Sequence, residues 1–217
     1  MGLSPELAQI SKAYNGRVIL KDCSWVFEPG LAHVLMGPNG TGKSTLLRIC
    51  ALLESPDLGS VNYLAEGRPL AHDLDLKRRI TLLLPGVGVF NTSVFNNVAY
   101  GLKIRGLPRR EIEARVGAIL EVVGLADQRR QRALELSTGQ SKRLGLARAM
   151  VLDPEVLFLD EPTASIDQEN SEIIERIILE MKEKKRATII MVTHDPAQAR
   201  RLGDRLFLIK DGKLWSR

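Results

Sequence analysis

The stretch Gly37-Pro38-Asn39-Gly40-Thr41-Gly42-Lys43-Ser44-Thr45 sets glycines at its start and just ahead of a lysine and two hydroxyls. A loop of this kind can curl until its backbone N–H groups converge on one point, and a lysine beside them completes a cradle for phosphate oxygens. The loop follows the apolar run Leu31–Met36 and opens the helical run Lys43–Leu53. A helix N-terminus there adds roughly half a positive charge. Lys43 adds a full charge for β and γ phosphates, and the Ser44 hydroxyl is placed for Mg²⁺. A second set lies in "VLFLDEPTASID", where the apolar run Val156–Leu159 delivers Asp160 and Glu161 side by side. Strand alternation sends neighbouring side chains to opposite faces. Asp160 can then hold Mg²⁺ or its water shell while Glu161 polarises an attacking water. A third set, Leu136-Ser137-Thr138-Gly139-Gln140, precedes an amphipathic helix. Taken alone, Ser137 there reads as a helix cap.

These groups need elements to hold them. Apolar segments of strand length are read at Leu31–Met36, Ile80–Leu84, Val156–Leu159, Thr188–Val192 and Leu206–Ile209. Most are too continuously apolar to have a wet face, which predicts strands of a parallel sheet covered on both sides. Helical patterns alternate with them, as in an α/β domain. In "DQENSEIIERIILEMKEKK" the residues Ile173, Ile174, Ile177, Ile178 and Met181 share one face, with acids early and lysines late. "LPRREIEARVGAILEVVGL" puts Ile112, Val116, Ile119, Leu120 and Val123 on another face, closed by Gly124. Between about Pro85 and Gly145 the helical content lacks strands and predicts an inserted helical lobe. "GRVILKDCSWVFEPG" alternates like antiparallel strands ending at a Pro-Gly turn.

The chain has 217 residues, 44% hydrophobic and 26% charged, with a net charge of +5, as expected of a soluble globular protein. Basic groups such as Lys77-Arg78-Arg79, Arg129-Arg130, Lys184-Lys185-Arg186 and Arg200-Arg201 are scattered. That pattern predicts solvated helix faces, and no nucleic-acid partner is expected. Cys23 and Cys50 lie far apart without a CxxC pair, and read as small buried hydrophobes in a reducing compartment. "MGLSPELAQISKAY" lacks an apolar signal core, and no run approaches bilayer length, so any membrane connection is expected through another subunit.

In their order along the chain, the phosphate loop, "LSTGQ", "LDEP", "ASID" and "VTHD" resemble the motifs of ABC-type ATPases. The resemblance spans nearly the whole chain. It implies an α/β P-loop NTPase core with a mixed or parallel sheet, an antiparallel β subdomain and an inserted helical subdomain. Residues 1–217 would form one such ATPase domain: 5–30 the antiparallel part, 31–84 and 146–217 the core, 85–145 the helical lobe with the signature motif. No added regulatory domain is expected. ATP and Mg²⁺ are the implied ligands, with Gly37 through Thr45 on nucleotide, Ser44 and Asp160 on metal, and Glu161 on water. His194 matches the switch histidine that contacts the γ-phosphate. Tyr14 matches an aromatic that stacks on adenine. Ser137, Gly139, Gln140 and Asp167 would serve the other subunit of a head-to-tail homodimer.

The family further implies an ATP-hydrolysing subunit that powers a separate integral membrane permease, in the cytoplasm on the inner face of the membrane. "NTSVFNNVAYGLKIRG" resembles importers of inorganic oxyanions such as tungstate, molybdate or phosphate. One position departs from the pattern. The strand Ile80–Leu84 ordinarily ends in a glutamine that touches Mg²⁺ and the lytic water, and Pro85 stands there. A proline side chain can neither accept from water nor bind metal, so hydrolysis is expected to weaken while nucleotide affinity survives. Asn91, Asn96 and Asn97 lie downstream as possible substitutes for the missing amide. Two other readings fit these motifs: a regulatory subunit with weak or no hydrolysis, and a non-transport ABC ATPase.

Overall fold

The computed structural model describes residues 2–184 and 187–216; Lys185 and Arg186 of the basic group lie outside them. The chain divides into two compact units, the first formed by Met1–Leu82, Glu155–Glu161 and Met181–Arg217, the second by Leu83–Pro154 and Pro162–Glu180.

The first unit contains two sheets. In the antiparallel one, β1 (Ser4–Tyr14) lies between β2 (Arg17–Val26) and β4 (Leu58–Ala65), with the short β5 (Arg68–Pro69) beside β4. This sheet therefore draws on residues 58–69, inside the stretch 31–84 expected for the phosphate-loop core. The reason is visible in β4, where Val61 and Tyr63 alternate inward with period two while their neighbours face outward. Gly59 permits the pairing, since a Cβ there would stand 2.3 Å from the Ala8 carbonyl oxygen.

The other sheet has the order β10-β9-β3-β8-β7-β6. Here β3 is Ala32–Met36, β6 Ile80–Leu83, β7 Val156–Asp160, β8 Thr188–Val192, β9 Arg205–Lys210 and β10 Lys213–Ser216. Strands β9, β3, β8 and β7 run parallel, and β10 returns antiparallel to β9. Every residue of β7 and β8 is buried, as expected for strands covered on both faces. Helix α1 (Lys43–Cys50) packs Leu46, Leu47, Ile49 and Cys50 into a core that joins both sheets through Leu7, Leu20, Phe27, Phe158, Ile190 and Phe207. Cys23 and Cys50 are both free and buried in it. Helices α2 (Leu74–Arg78) and α7 (Pro196–Leu202) complete this unit.

The second unit is helical, with α3 (Val94–Ile104), α4 (Arg109–Val122), α5 (Thr138–Met150) and most of α6 (Gln168–Glu183). In α4, Ile112, Val116 and Leu120 are buried, with Val123 just beyond it. Gly124 ends the helix at φ 63°, and the next amide, Leu125, closes back on the Leu120 carbonyl. The unit extends past Gly145 because α5 is one continuous helix, and Gly145 itself is buried with a would-be Cβ 2.6 Å from Val87.

Candidate functional site

In the first unit, β3 runs into the loop Gly37–Gly42 and the loop into α1. Gly37 and Gly42 adopt φ values of 146° and 98°, and a Cβ would collide with the Ile209 carbonyl oxygen at 2.5 Å and with Ile19 at 2.8 Å respectively. Glycine is thus required by both conformation and space. Helices α2, α3, α5 and α7 are capped by the side chains of Asp73, Ser93, Ser137 and Asp195. Helix α1 has Gly42 at that position and, like α4 behind Pro108, no side-chain cap. Its first amides are left for an external acceptor, which is the arrangement an anion needs.

Lys43 folds back over this loop, its Nζ donating to the carbonyls of Gly37 at 2.8 Å and Pro38 at 2.9 Å. Burial holds its ammonium below the ordinary lysine range, partly offset by the carboxylates of Glu161 and Asp160. The Thr41 hydroxyl donates to the Pro38 carbonyl, leaving Asn39 and Gly40 exposed at the loop's crest. Asp160 ends β7 almost completely buried, at 2% exposure, and its carboxylate accepts from the Ser44 hydroxyl. Its other oxygen, Oδ1, is buried without a partner. Burial pushes the Asp160 carboxyl up, with Glu161 adding repulsion and Ser44, Arg48 and Lys43 opposing. An orphaned carboxylate oxygen beside a serine hydroxyl fits a hard cation with oxygen ligands, so Ser44 and Asp160 suit Mg²⁺.

Glu161 is not the next residue of a strand, as alternation assumed. It lies past the end of β7 with φ 49°, and its amide donates to Val192 at the end of β8. The left-handed turn, not strand pleat, separates its direction from that of Asp160. His194 follows β8 on an exposed turn, its Nδ1 3.7 Å from Glu161 Oε1. Gly37, Pro38, Asn39, Glu161 and His194 line a cleft of about 580 Å³, together with Leu206–Leu208 of β9. The β9 contribution was not foreseen, because an apolar strand carries no mark of lining a site.

Tyr14 ends β1 and is 41% exposed. Its hydroxyl donates to Glu54 and is hydrogen-bonded to the buried Thr45 of α1. Burial first, then the Glu54 carboxylate, pushes the phenol up.

Ser137, Gly139, Gln140 and Asp167 belong to the second unit. The Ser137 hydroxyl accepts from the Gln140 amide at 3.2 Å, and the Gln140 side chain accepts from the Ser137 amide at 2.9 Å. This capping box holds the α5 tip and leaves the serine's own hydrogen available to donate. Asn170 covers Gly139, where a Cβ would stand 2.3 Å from its Cγ. The same Asn170 amide donates to both Asp167 oxygens, at 2.9 and 2.7 Å. No motif marked Asn170; its role depends on a packing contact.

Pro85 is exposed, just beyond β6, and its carbonyl accepts from Lys142. The downstream amides are engaged within the second unit. Asn97, 1% exposed, accepts from the Phe90 amide at 2.8 Å and donates to the Phe90 carbonyl at 3.1 Å and the Ser93 carbonyl at 3.0 Å. Asn96 bonds Thr92 and Lys103, and Asn91 accepts from Arg132.

The family model described as ABC transporter matches residues 20–164. The chain is 38% identical over 208 residues to the tungstate uptake system ATP-binding protein TupC of Peptoclostridium acidaminophilum, covering 96% of this chain and 95% of that one. It is 37% identical over 209 residues to the sulfate/thiosulfate import ATP-binding protein CysA of Mycobacterium bovis, of which it spans 59%. Among solved structures, cbiO1 from Clostridium perfringens, part of the ABC transporter complex cbiONQ, superposes with a TM-score of 0.86 at 29% identity, covering 99% of this chain and 88% of that one. An ATP-binding cassette solved as a dimer in a post-hydrolysis state with ADP and Pi gives a TM-score of 0.86 at 26% identity, covering 98% and 97%.

Proposed function

Because the chain belongs to the ABC transporter family as an ATP-binding, ATP-hydrolysing subunit, we propose that its first unit binds and cleaves ATP with Lys43, Ser44, Asp160, Glu161 and His194. The observation that carries this assignment is the buried Asp160, with one oxygen held by Ser44 and the other unpartnered, next to an uncapped helix. Lys43 exchanges its neutral carbonyl partners for phosphate oxygens, a change to stronger charge-assisted bonds. The loop amides of Gly37 to Thr45 hold the phosphates, and Tyr14 stacks on the base. Ser44 and Asp160 would hold Mg²⁺, which neutralises charge on the phosphate oxygens when bound. Glu161 accepts a hydrogen bond from the attacking water, whose oxygen bonds the γ-phosphorus as the bond to the bridging oxygen breaks and ADP departs. His194, beside Glu161, contacts the γ-phosphate.

Two copies act head to tail. The Ser137–Gln140 tip of one copy, with Asp167, closes over the nucleotide held by the other; the neighbour solved as a dimer with ADP and Pi supports this arrangement. The motion is passed to a separate membrane permease, in keeping with the transporter complex that contains the Clostridium neighbour. Among the described residues no helix is long and apolar enough to cross a membrane, which suits a peripheral place at the cytoplasmic face. The solute is an inorganic oxyanion, a reading supported by the tungstate and sulfate relatives. Their names as uptake and import proteins do not favour a regulatory or non-transport role.

Purified Lys43→Ala should lose binding of a fluorescent ATP analogue, and Glu161→Gln should accumulate as an ATP-bound dimer. Undiminished ATP binding by the Lys43 variant would sink the assignment.

A further inference from the structure

The Tyr14 ring is held by a network that the phosphate site does not itself require. Its phenol oxygen donates to Glu54, in the turn region after α1, and is hydrogen-bonded to Thr45 within α1. Thr45 lies two residues beyond Lys43, so the ring is referenced directly to the helix that starts at the phosphates. Lys12 Nζ stands over the ring, 5.6 Å from its centroid. The Lys12 side chain, 14% exposed, is fixed by the Ser55 carbonyl at 2.9 Å and by Asp57 Oδ1 at 3.0 Å. Asp57 Oδ2 accepts from the Ala13 amide at 2.7 Å, which pins the end of β1 itself. One face of the ring therefore meets a cation, while 41% of the residue stays open.

We propose that Glu54 is a positioning residue for nucleotide recognition: with Lys12 behind the ring, it locks Tyr14 at a fixed height above the phosphate helix, so that only one ring face is offered to the base. This rests on the reading of Tyr14 as the base-stacking residue. Side-chain entropy explains why such a lock matters. A tyrosine at a strand end would otherwise sample several rotamers and lose that freedom on binding. A preset ring meets the base at lower cost. The cation on the rear face also polarises the ring toward stacking with an electron-rich base.

The test compares Mg²⁺-ATP with Mg²⁺-tripolyphosphate, which shares the phosphates and lacks the base. Glu54→Ala and Tyr14→Phe should each weaken ATP by about three- to tenfold, the scale of one lost hydrogen bond. Tyr14→Ala should cost about tenfold or more, the scale of a lost base–aromatic stack. Tripolyphosphate affinity should stay unchanged in all three, and the losses should fall on KM rather than kcat. Glu54→Gln keeps an acceptor for the phenol and should restore affinity. The double variant Tyr14→Phe/Glu54→Ala should lose less than the product of the two single losses, since the two share one hydrogen bond. Unchanged ATP affinity in Glu54→Ala, or equal weakening of tripolyphosphate, overturns the proposal, and Tyr14→Phe decides the same question from the other side of the hydrogen bond if the Glu54 variant folds poorly. Failure of the parent protein to bind tripolyphosphate would instead refute the phosphate-loop reading. Full ATP affinity in Tyr14→Ala would refute the base-stacking role and this inference with it.

Discussion

Replacing Asp160 by asparagine should stabilise the ligand-free protein and cripple its response to Mg²⁺-nucleotide. Asp160 is 2% exposed, its Oδ1 has no partner, and its carboxyl is pushed up chiefly by burial even with Lys43 and Arg48 nearby. Desolvation thus outweighs every favourable contact the charge makes. Leaving a buried polar group unsatisfied costs about 1–3 kcal/mol, more when it is charged. The neutral, near-isosteric amide should recover about 1 kcal/mol at neutral pH, or about 2–4 °C in Tm for a chain of this size. The pH dependence follows from proton linkage. With its folded-state pKa raised, the native protein holds the Asp160 proton to higher pH than the unfolded chain does. Stability therefore falls as pH rises from the ordinary carboxylate range through the raised value. The variant lacks that fall, so the two melting temperatures should converge at low pH and separate above the window. Mg²⁺-ATP should raise Tm of the parent strongly and that of the variant little, since ligand stabilisation scales with affinity. Differential scanning fluorimetry over about pH 4–8 reads all of this. A ligand-free variant that melts below the parent at neutral pH, or melting curves that stay parallel across the range, would refute the desolvation argument.

Gly139→Ala would ordinarily gain about 1 kcal/mol of helix propensity, but its Cβ must displace Asn170 and with it the Asp167 carboxylate. Steady-state ATPase should fall about tenfold or more while nucleotide affinity of the isolated chain holds; an unaffected turnover would show that Asn170 moves harmlessly. Pro85→Gln should raise ATP turnover by about tenfold with little change in nucleotide affinity, and equal turnover would mark the proline as harmless. Asn97→Ala strips the buried amide that ties Phe90 and Ser93; urea unfolding should show a loss of about 2–3 kcal/mol.

What could be read in advance was whatever depends on local pattern. The fully buried β7 and β8 announce themselves as unbroken apolar runs, and Gly124 marks the end of α4 through its left-handed turn. The turn Gly37–Gly42 is legible because its glycines answer to backbone geometry, with φ of 146° at Gly37 and 98° at Gly42. Features that depend on long-range packing were hidden. Residues 58–64 pair with β1, and Arg68–Pro69 with β4, rather than with the sheet that their position suggested, because strand partners are chosen across tens of residues. Asn170 acquires its place only when α5 and α6 meet, and Glu54 only when the turn after α1 reaches the end of β1. Alternation misjudged Glu161 because it presumes a strand that has already ended.

The uncapped start of α1 has a consequence for how the chain comes together. An eight-residue helix with no side-chain cap has negligible stability alone, so it must wait for the core that receives Leu46, Leu47 and Ile49. That core includes Ile190 and Phe207, and Ala32 pairs with Ile189. During synthesis on the ribosome, the segment bearing the Gly37–Gly42 loop emerges early beside β1 and β2, but the share of its core that Ile190 and Phe207 supply follows only with the last strands. The sheet that holds the start of this loop is therefore expected to be complete only after β8 and β9 have joined β3.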